Sequence, residues 1–340
     1  MTIKQKLLGM TLAELRDVAA KAELPSYAAE QIADWLYNKK ISSIEEMTNL
    51  SAAKRAWLGK HYEIGRSLPT SSAASADGTL KYTFSAAGSC IETVVIPSKD
   101  RSTLCVSSQV GCKMSCVFCM TGRQGFTANL SAADIINQLL SVPESDSLTN
   151  IVFMGMGEPF DNTNAVMNAL DILTGTYGLG WSPKRITVST IGARGLKRFL
   201  SESSCHLAVS LHAANSNDRY SLVPYEKAVP IRQVIALINQ YDFRHQRRVS
   251  FEYIVFKGVN DSPQQAIELA TMLRNVPCRI NLICYHPIPD SHLEGAELHK
   301  IEQFRDILSR RGLVCTIRTS RGEDIAAACG MLSSAKKQSA

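Results

Sequence analysis

The sequence has no apolar run as long as the roughly 18 residues that a membrane-spanning helix needs. Near its start, Lys4 and Lys6 flank only a short apolar patch at Leu7-Leu8, too short for the core of a signal peptide. Both shortages point to a cytoplasmic protein that does not enter membranes. Histidine is missing between His61 and His206, so a zinc knuckle of mixed cysteine and histidine cannot be assembled locally there. Charge of one sign is scarce too: a net +6 is mildly basic, compatible with a polyanionic partner without demanding one. Internal repeats and low-complexity tracts are absent apart from a polar tail after Leu332, which excludes solenoids and arrays.

Cysteine, in contrast, is plentiful, with ten in the chain. In a cytosolic protein they do not read as a disulfide framework, because thiols there stay reduced. Cys90, Cys205, Cys278, Cys284, Cys315 and Cys329 are dispersed, as small buried apolar residues are. Cys105, Cys112, Cys116 and Cys119 crowd together, as metal or redox chemistry requires.

Residues 1–66 read as a helical accessory domain. Thr11-Leu-Ala-Glu14 is a capping box, followed by Leu15, Val18 and Ala19 at helical spacing, and a second helix runs over 26–40. Residues 67–102 read as a small β extension, with a turn at Asp77-Gly78 and strands at 79–84 and 91–96. Over 103–320 strands and helices alternate. Strands are expected at 103–107, 150–154, 185–189, 206–211, 249–256, 279–285 and 314–319, with helices at 132–140, 164–173, 231–240, 264–273 and 299–310 between them. Such βα alternation implies an α/β fold on a parallel sheet, open or curled toward a barrel, with its chemistry after the strand C-terminal ends. Residues 321–340 form a C-terminal segment.

Cys112-Lys-Met-Ser-Cys116-Val-Phe-Cys119 follows the first strand of the alternating region. Three thiolates on one short loop suit an iron–sulfur cluster and leave one iron open, and an open site is what binds a substrate. Gly111 and Gly122 allow a tight loop. The plainer alternatives are a structural zinc with Cys105 as fourth ligand, or a fully ligated electron-transfer cluster. Gly155-Met-Gly157-Glu158-Pro159 follows another strand, where glycines permit close backbone approach and Glu158 offers acceptors to an ammonium. Ser189 and Ser210-Leu211-His212 stand at further strand ends, and on successive ends they favour one pocket.

The three-cysteine spacing, with Phe118 before the last cysteine, resembles the radical S-adenosylmethionine (SAM) signature. Cys105-Val-Ser-Ser-Gln-Val-Gly-Cys112, Gly155-Met-Gly-Glu-Pro159, Ser210-Leu-His212, Ile91-Glu92-Thr-Val-Val-Ile-Pro97 and Arg321-Gly-Glu-Asp-Ile-Ala-Ala-Ala-Cys329-Gly330 all occur in this chain. Taken together, these motifs resemble the RlmN/Cfr family of radical SAM adenine methyltransferases over nearly the whole chain. The resemblance implies a partial (βα)6 barrel with the helical domain and β extension appended. It also implies a 4Fe-4S cluster on Cys112, Cys116 and Cys119, and two SAM molecules per methylation. One SAM would methylate Cys329; the second would give the radical that removes a hydrogen from that methyl group. The carbon radical would then add to adenine, and a disulfide between Cys105 and Cys329 would release the product. Either Glu92 or Cys105 would take the ring proton. Gly157, Glu158, Ser189, Ser210, Leu211, His212 and His286 would contact SAM.

Two positions depart from the family: Met331 replaces a glutamine, and His286 an asparagine. The resemblance implies 23S ribosomal RNA as a partner, tRNA as a second substrate and a flavodoxin-type electron donor. The block from Cys105 to Cys112 and the helical N-terminal domain look like the branch that methylates carbon 2 rather than carbon 8. Basic stretches at Lys184-Arg185, Arg194, Lys197-Arg198 and 244–248 read as solvated faces without that resemblance, and as phosphate contacts with it. A non-methylating radical SAM enzyme, needing neither Cys105 nor Cys329, is the competing reading.

Overall fold

The computed structural model describes residues 4–243 and 249–334, so the basic run at 244–248 lies outside the described residues. Near the N-terminus, helices Leu12–Lys21, Ala28–Tyr37 and Ala52–His61 pack together. The capping box at Thr11 and Glu14 forms, so side chains satisfy amide donors that the first helical turn leaves unpaired. Leu15, Ile32, Leu36 and Leu58 are buried, and their cluster runs without a break into the core of the rest.

One ten-stranded sheet organises the remainder. Its strands, in both chain and spatial order, are β1 (Ser71–Ala74), β2 (Leu80–Ala86), β3 (Ser89–Ser98), β4 (Arg101–Cys105), β5 (Asn150–Phe153), β6 (Ile186–Thr190), β7 (His206–Ser210), β8 (Val249–Val255), β9 (Cys278–Cys284) and β10 (Val314–Arg318). From β4 to β10 every neighbour is parallel; β1 to β4 form an antiparallel meander. Each parallel step needs a crossover, and helices such as Ala132–Ser141, Thr163–Thr174, Pro263–Leu273 and Leu298–Arg310 supply them. All seven residues of β8 are buried, as a strand covered on both faces requires.

The α/β fold expected from the alternation is therefore present, as six βα units followed by a seventh parallel strand. The β extension joins the same sheet, because β3 pairs with the first parallel strand from Val94↔Cys105 to Ser98↔Arg101. Short helices at Leu196–Glu202 and Ser216–Leu222 add to the expected set. Among the described residues no helix is long and apolar enough to cross a membrane.

Helix Ala132–Ser141 carries the contact with the N-terminal helices. Arg66 donates to the Leu140 carbonyl (2.6 Å), to Ser141 Oγ (3.2 Å) and to the Lys40 carbonyl, placing a cation on the unpaired carbonyls at that helix's end. Buried Asn137 exchanges hydrogen bonds with Ser67, at 2.9 Å each way along the backbone. A Cβ on Gly9 would overlap the Ala133 backbone, so the two units meet main chain to main chain.

Candidate active site

The C-terminal ends of β5 to β10 converge on the cysteine loop. A two-stranded ribbon, Gln109–Gly111 against Phe126–Asn129, closes the loop's base. Gly111 has φ +74°, and a side chain there would overlap the Gly125 carbonyl, so the closure admits only glycine. Ser115 also takes a left-handed conformation, at φ +53°, turning the chain between Cys112 and Cys116. Burial pushes the Cys112 thiol up to about 12 and raises Cys116 and Cys119 as well, and the neighbouring thiols add to the effect. A metal cation placed among such buried thiols compensates the thiolate charge and so drives the release of their protons to water.

The loop fits an iron–sulfur cluster. All three thiols line one cavity of about 140 Å³, and among the described residues no three His, Cys, Asp or Glu side chains close on a single metal ion. Cys105 lines a neighbouring cavity, which Cys119 also borders, and not the one that all three loop thiols share. Gly157, Glu158, Ser189, Ser210 and His212 line the same inner cavity, as the strand-end reading expects. Leu211 is instead fully buried in the apolar core.

Glu158 does more than wait for a ligand. Thr190 Oγ1 donates to it (2.7 Å), as do the amides of Phe160 (3.1 Å) and Ile191 (3.0 Å), tying the loop after β5 to that after β6. Burial nevertheless pushes its carboxyl up to about 7. His212 is buried at φ +60°, with Nδ1 accepting from the Ile254 amide (3.1 Å) and its ring edge-on to Phe118 at 4.7 Å. Burial pushes its pKa down to about 3, so the ring is neutral.

Two supports have no motif. Arg219 is fully buried and ion-paired with Glu226, and it donates to the carbonyls of Ile191 (2.8 Å), Ser210 (3.0 Å) and Leu211 (3.0 Å). Asn260 bridges the carbonyls of His212 (2.7 Å) and Ile254 (2.8 Å) and accepts from the Phe256 amide (2.6 Å). Each shapes strand ends that the cavity uses. A short sequence window does not reveal either, because their partners are backbone groups from other strands.

A second, outer cavity of about 410 Å³ lies between β3–β4 and β9–β10. Cys105 lines it from the end of β4, and Arg101, Arg321 and His286 stand around it. Met154, Gly155, Arg318 and Cys329 border both cavities, so the sulfur of Cys329 lies between the cysteine loop and the outer space. Cys329 is accessible to solvent, but through these cavities, and it occupies a turn rather than a helix. Burial, with the neighbouring Cys329 thiolate adding to it, raises Cys105 to about 12, so the two sulfurs are near enough to interact. Arg318, held by Glu252 (3.3 Å), acts oppositely on both sulfurs.

His286 is placed on the outer wall, bonded to Ser320 and Glu323 (3.1 Å), and does not line the inner cavity. Glu92 lines neither cavity. Its carboxylate pairs with Lys81 (2.9 Å) and accepts from the Ser333 amide (2.9 Å). Met331 packs half-buried beside Leu332 in the same segment.

Two family models match the chain: the radical SAM superfamily over residues 106–270, and the ribosomal RNA large subunit methyltransferase N-terminal domain over residues 5–64. A probable dual-specificity RNA methyltransferase RlmN from Parabacteroides distasonis is 62% identical over 338 residues, covering 99% of this chain and 98% of that protein. The dual-specificity RNA methyltransferase RlmN of Marinobacter nauticus is 38% identical, covering 97% of this chain and 92% of that protein. The crystal structure of a radical SAM methyltransferase from Sphaerobacter thermophilus superposes with a TM-score of 0.90 at 41% identity, covering 96% of this chain and 99% of that one. With the full length matched and the cysteine loop set in the barrel, the chain belongs to the RlmN family of radical SAM RNA methyltransferases.

Proposed function

We propose that this enzyme methylates carbon 2 of an adenosine in 23S ribosomal RNA, and of the adenosine beside the anticodon in certain tRNAs, in the cytoplasm. One observation carries the reading: Cys105 and Cys329, far apart in sequence, meet on the wall of one cavity that adjoins the cysteine-loop cavity. An aromatic C–H carbon is a poor nucleophile, so a direct attack on the methyl group of SAM is closed to it. A carrier sulfur between the two cavities answers that difficulty.

Cys112, Cys116 and Cys119 would hold a 4Fe-4S cluster, which when bound supplies the electron that cleaves SAM to methionine and a 5′-deoxyadenosyl radical. The glycines of the Gly155–Pro159 loop and the ends of β6 and β7 would seat SAM. Cys329 as thiolate takes a methyl group from one SAM by displacement; burial raises its thiol, and Arg318 offsets part of that rise. The methyl carbon, after losing a hydrogen atom, bonds to adenine in the outer cavity. Carbon 2 then gives its proton to Cys105 or Glu92, and the unpaired electron of the ring would have as its acceptor the oxidised 4Fe-4S cluster, which gave up one electron to cleave SAM. Cys105 as thiolate attacks the Cys329 sulfur; the S–S bond forms, the S–C bond breaks, and the methyl carbon takes up a proton. Two electrons from a flavodoxin-type donor restore the thiols. Residues 1–66 would help to hold the RNA, and Arg101 and Arg321 at the outer cavity would meet phosphates.

The test is nucleoside mass spectrometry of ribosomal RNA and tRNA from cells lacking their own enzyme, with and without this protein. New 2-methyladenosine in both fractions is expected. 8-Methyladenosine instead would move the target to carbon 8, and no new methyladenosine would overturn the reading.

A further inference from the structure

The turn that carries Cys329 is suspended rather than built into an element. On its inner side the Met120 amide donates to the Gly330 carbonyl (2.7 Å), and Thr121 Oγ1 donates to the Leu332 carbonyl (2.7 Å). On its outer side two charged residues hold it. Lys81 on β2 donates to the Ala326 carbonyl (3.3 Å), and Glu92 on β3 accepts from the Ser333 amide (2.9 Å). The two are themselves joined at 2.9 Å, and their side chains are only 10% and 13% exposed. A buried ion pair adds little net stability over a well-packed apolar pair, but it fixes geometry, because each charge must stay with its partner. Here both ends of the pair reach the same turn, on either side of Cys329.

We propose that Lys81 is a positioning residue for Cys329: with Glu92 it forms a latch on the β2–β3 hairpin that pins both shoulders of the turn and so keeps the sulfur between the two cavities. The inference rests on Cys329 being the methyl carrier. It also gives Glu92 a task in the resting enzyme, since both of its carboxylate oxygens are occupied by the latch.

The experiment uses the full-length protein and Lys81→Met, which keeps the length of the side chain and removes its charge. Hydrogen–deuterium exchange without RNA should show amides of residues 326–334 exchanging at least about tenfold faster. Iron and sulfide content should be unchanged, and kcat for RNA methylation should fall about 100-fold with KM unaltered, as a misplaced reacting group predicts. Lys81→Arg should restore most of both. Ser333→Pro removes one latch donor without disturbing the buried pair and should loosen the same amides, which keeps the test open if Lys81→Met folds poorly. Normal exchange in both variants, or a fallen kcat with normal exchange, would overturn the latch. Loosened amides in variants of a protein that methylates no RNA would overturn the methyltransferase reading and leave the latch standing.

Discussion

His212 illustrates how one side chain can be bound to the fold by its neutrality. Its Nδ1 accepts a backbone amide while burial holds the ring uncharged down to about pH 3. In the unfolded chain the ring protonates near its ordinary 6.5, so between 6.5 and 3 the unfolded state binds the extra proton. This contribution to stability is therefore full above pH 6.5 and is lost progressively as pH falls toward 3. Asparagine offers an acceptor in a similar place and tolerates a positive φ. Urea denaturation of His212→Asn should accordingly show a shallower loss of stability between pH 6.5 and 4 than the parent; an equal slope would show that His212 does not govern it. The two isolated cysteines lend themselves to a chemical test. Cys329→Ala should abolish methylation, whereas Cys105→Ala should accumulate a covalent protein–RNA adduct visible on a denaturing gel. Free methylated RNA in normal amounts from the Cys105 variant would sink release by disulfide formation.

At the scale of elements, the site depends on ties between loops. The Arg219–Glu226 pair is buried, and its arginine braces the ends of β6 and β7 through three carbonyls. Arg219→Met leaves a carboxylate buried alone and should cost about 3–5 kcal/mol in chemical denaturation. Replacing both partners with apolar residues should cost less than the single change, because no charge is then stranded. The cysteine loop depends in turn on its ribbon. Gly111→Ala would force a side chain into a left-handed backbone, about 1–2 kcal/mol by itself, and into the Gly125 carbonyl. Iron bound after reconstitution should drop sharply; full incorporation would show that the loop closes without the ribbon. Legibility at this scale varied for physical reasons. Helix Ala132–Ser141 announces itself through a capping box, and strand β8 through apolar residues at every second position from Val249 to Val255. β1, all serine and alanine and mostly exposed, carries no alternation, and Leu196–Glu202 and Ser216–Leu222 are too short for a helical period to stand out.

Across the whole molecule, the N-terminal helices and the barrel share a core, and Arg66 is the hinge pin between them. Its three hydrogen bonds link the Lys40 carbonyl of the N-terminal unit to the Leu140 carbonyl and Ser141 Oγ of helix Ala132–Ser141. Arg66→Ala should lower stability by about 1.5–3 kcal/mol, the range for hydrogen bonds to a charged group. Differential scanning calorimetry should show the N-terminal helices beginning to melt ahead of the barrel; a single unshifted transition would refute the role. The continuous sheet gives the other long-range connection. Because β3 pairs with β4, the hairpin that holds the Cys329 turn is rigidly registered to the strand that ends in Cys105.

By itself the sequence determined the family chemistry, since ligand type and spacing are local: Cys112, Cys116 and Cys119 lie within one turn of loop, and the βα alternation is a matter of period. It also placed Gly157, Glu158, Ser189, Ser210 and His212 at strand ends, and parallel strands bring their ends together whatever the crossovers contain. What only the tertiary structure decided is which side chains face which space. Leu211 turns to the core, His286 to the outer cavity, and Glu92 to Lys81 and Ser333. Cys329 gains its place between two cavities from bonds to β2, β3 and the cysteine loop. Those bonds join residues far apart in the chain through backbone carbonyls and amides, which every residue carries, so no pattern of side chains records them.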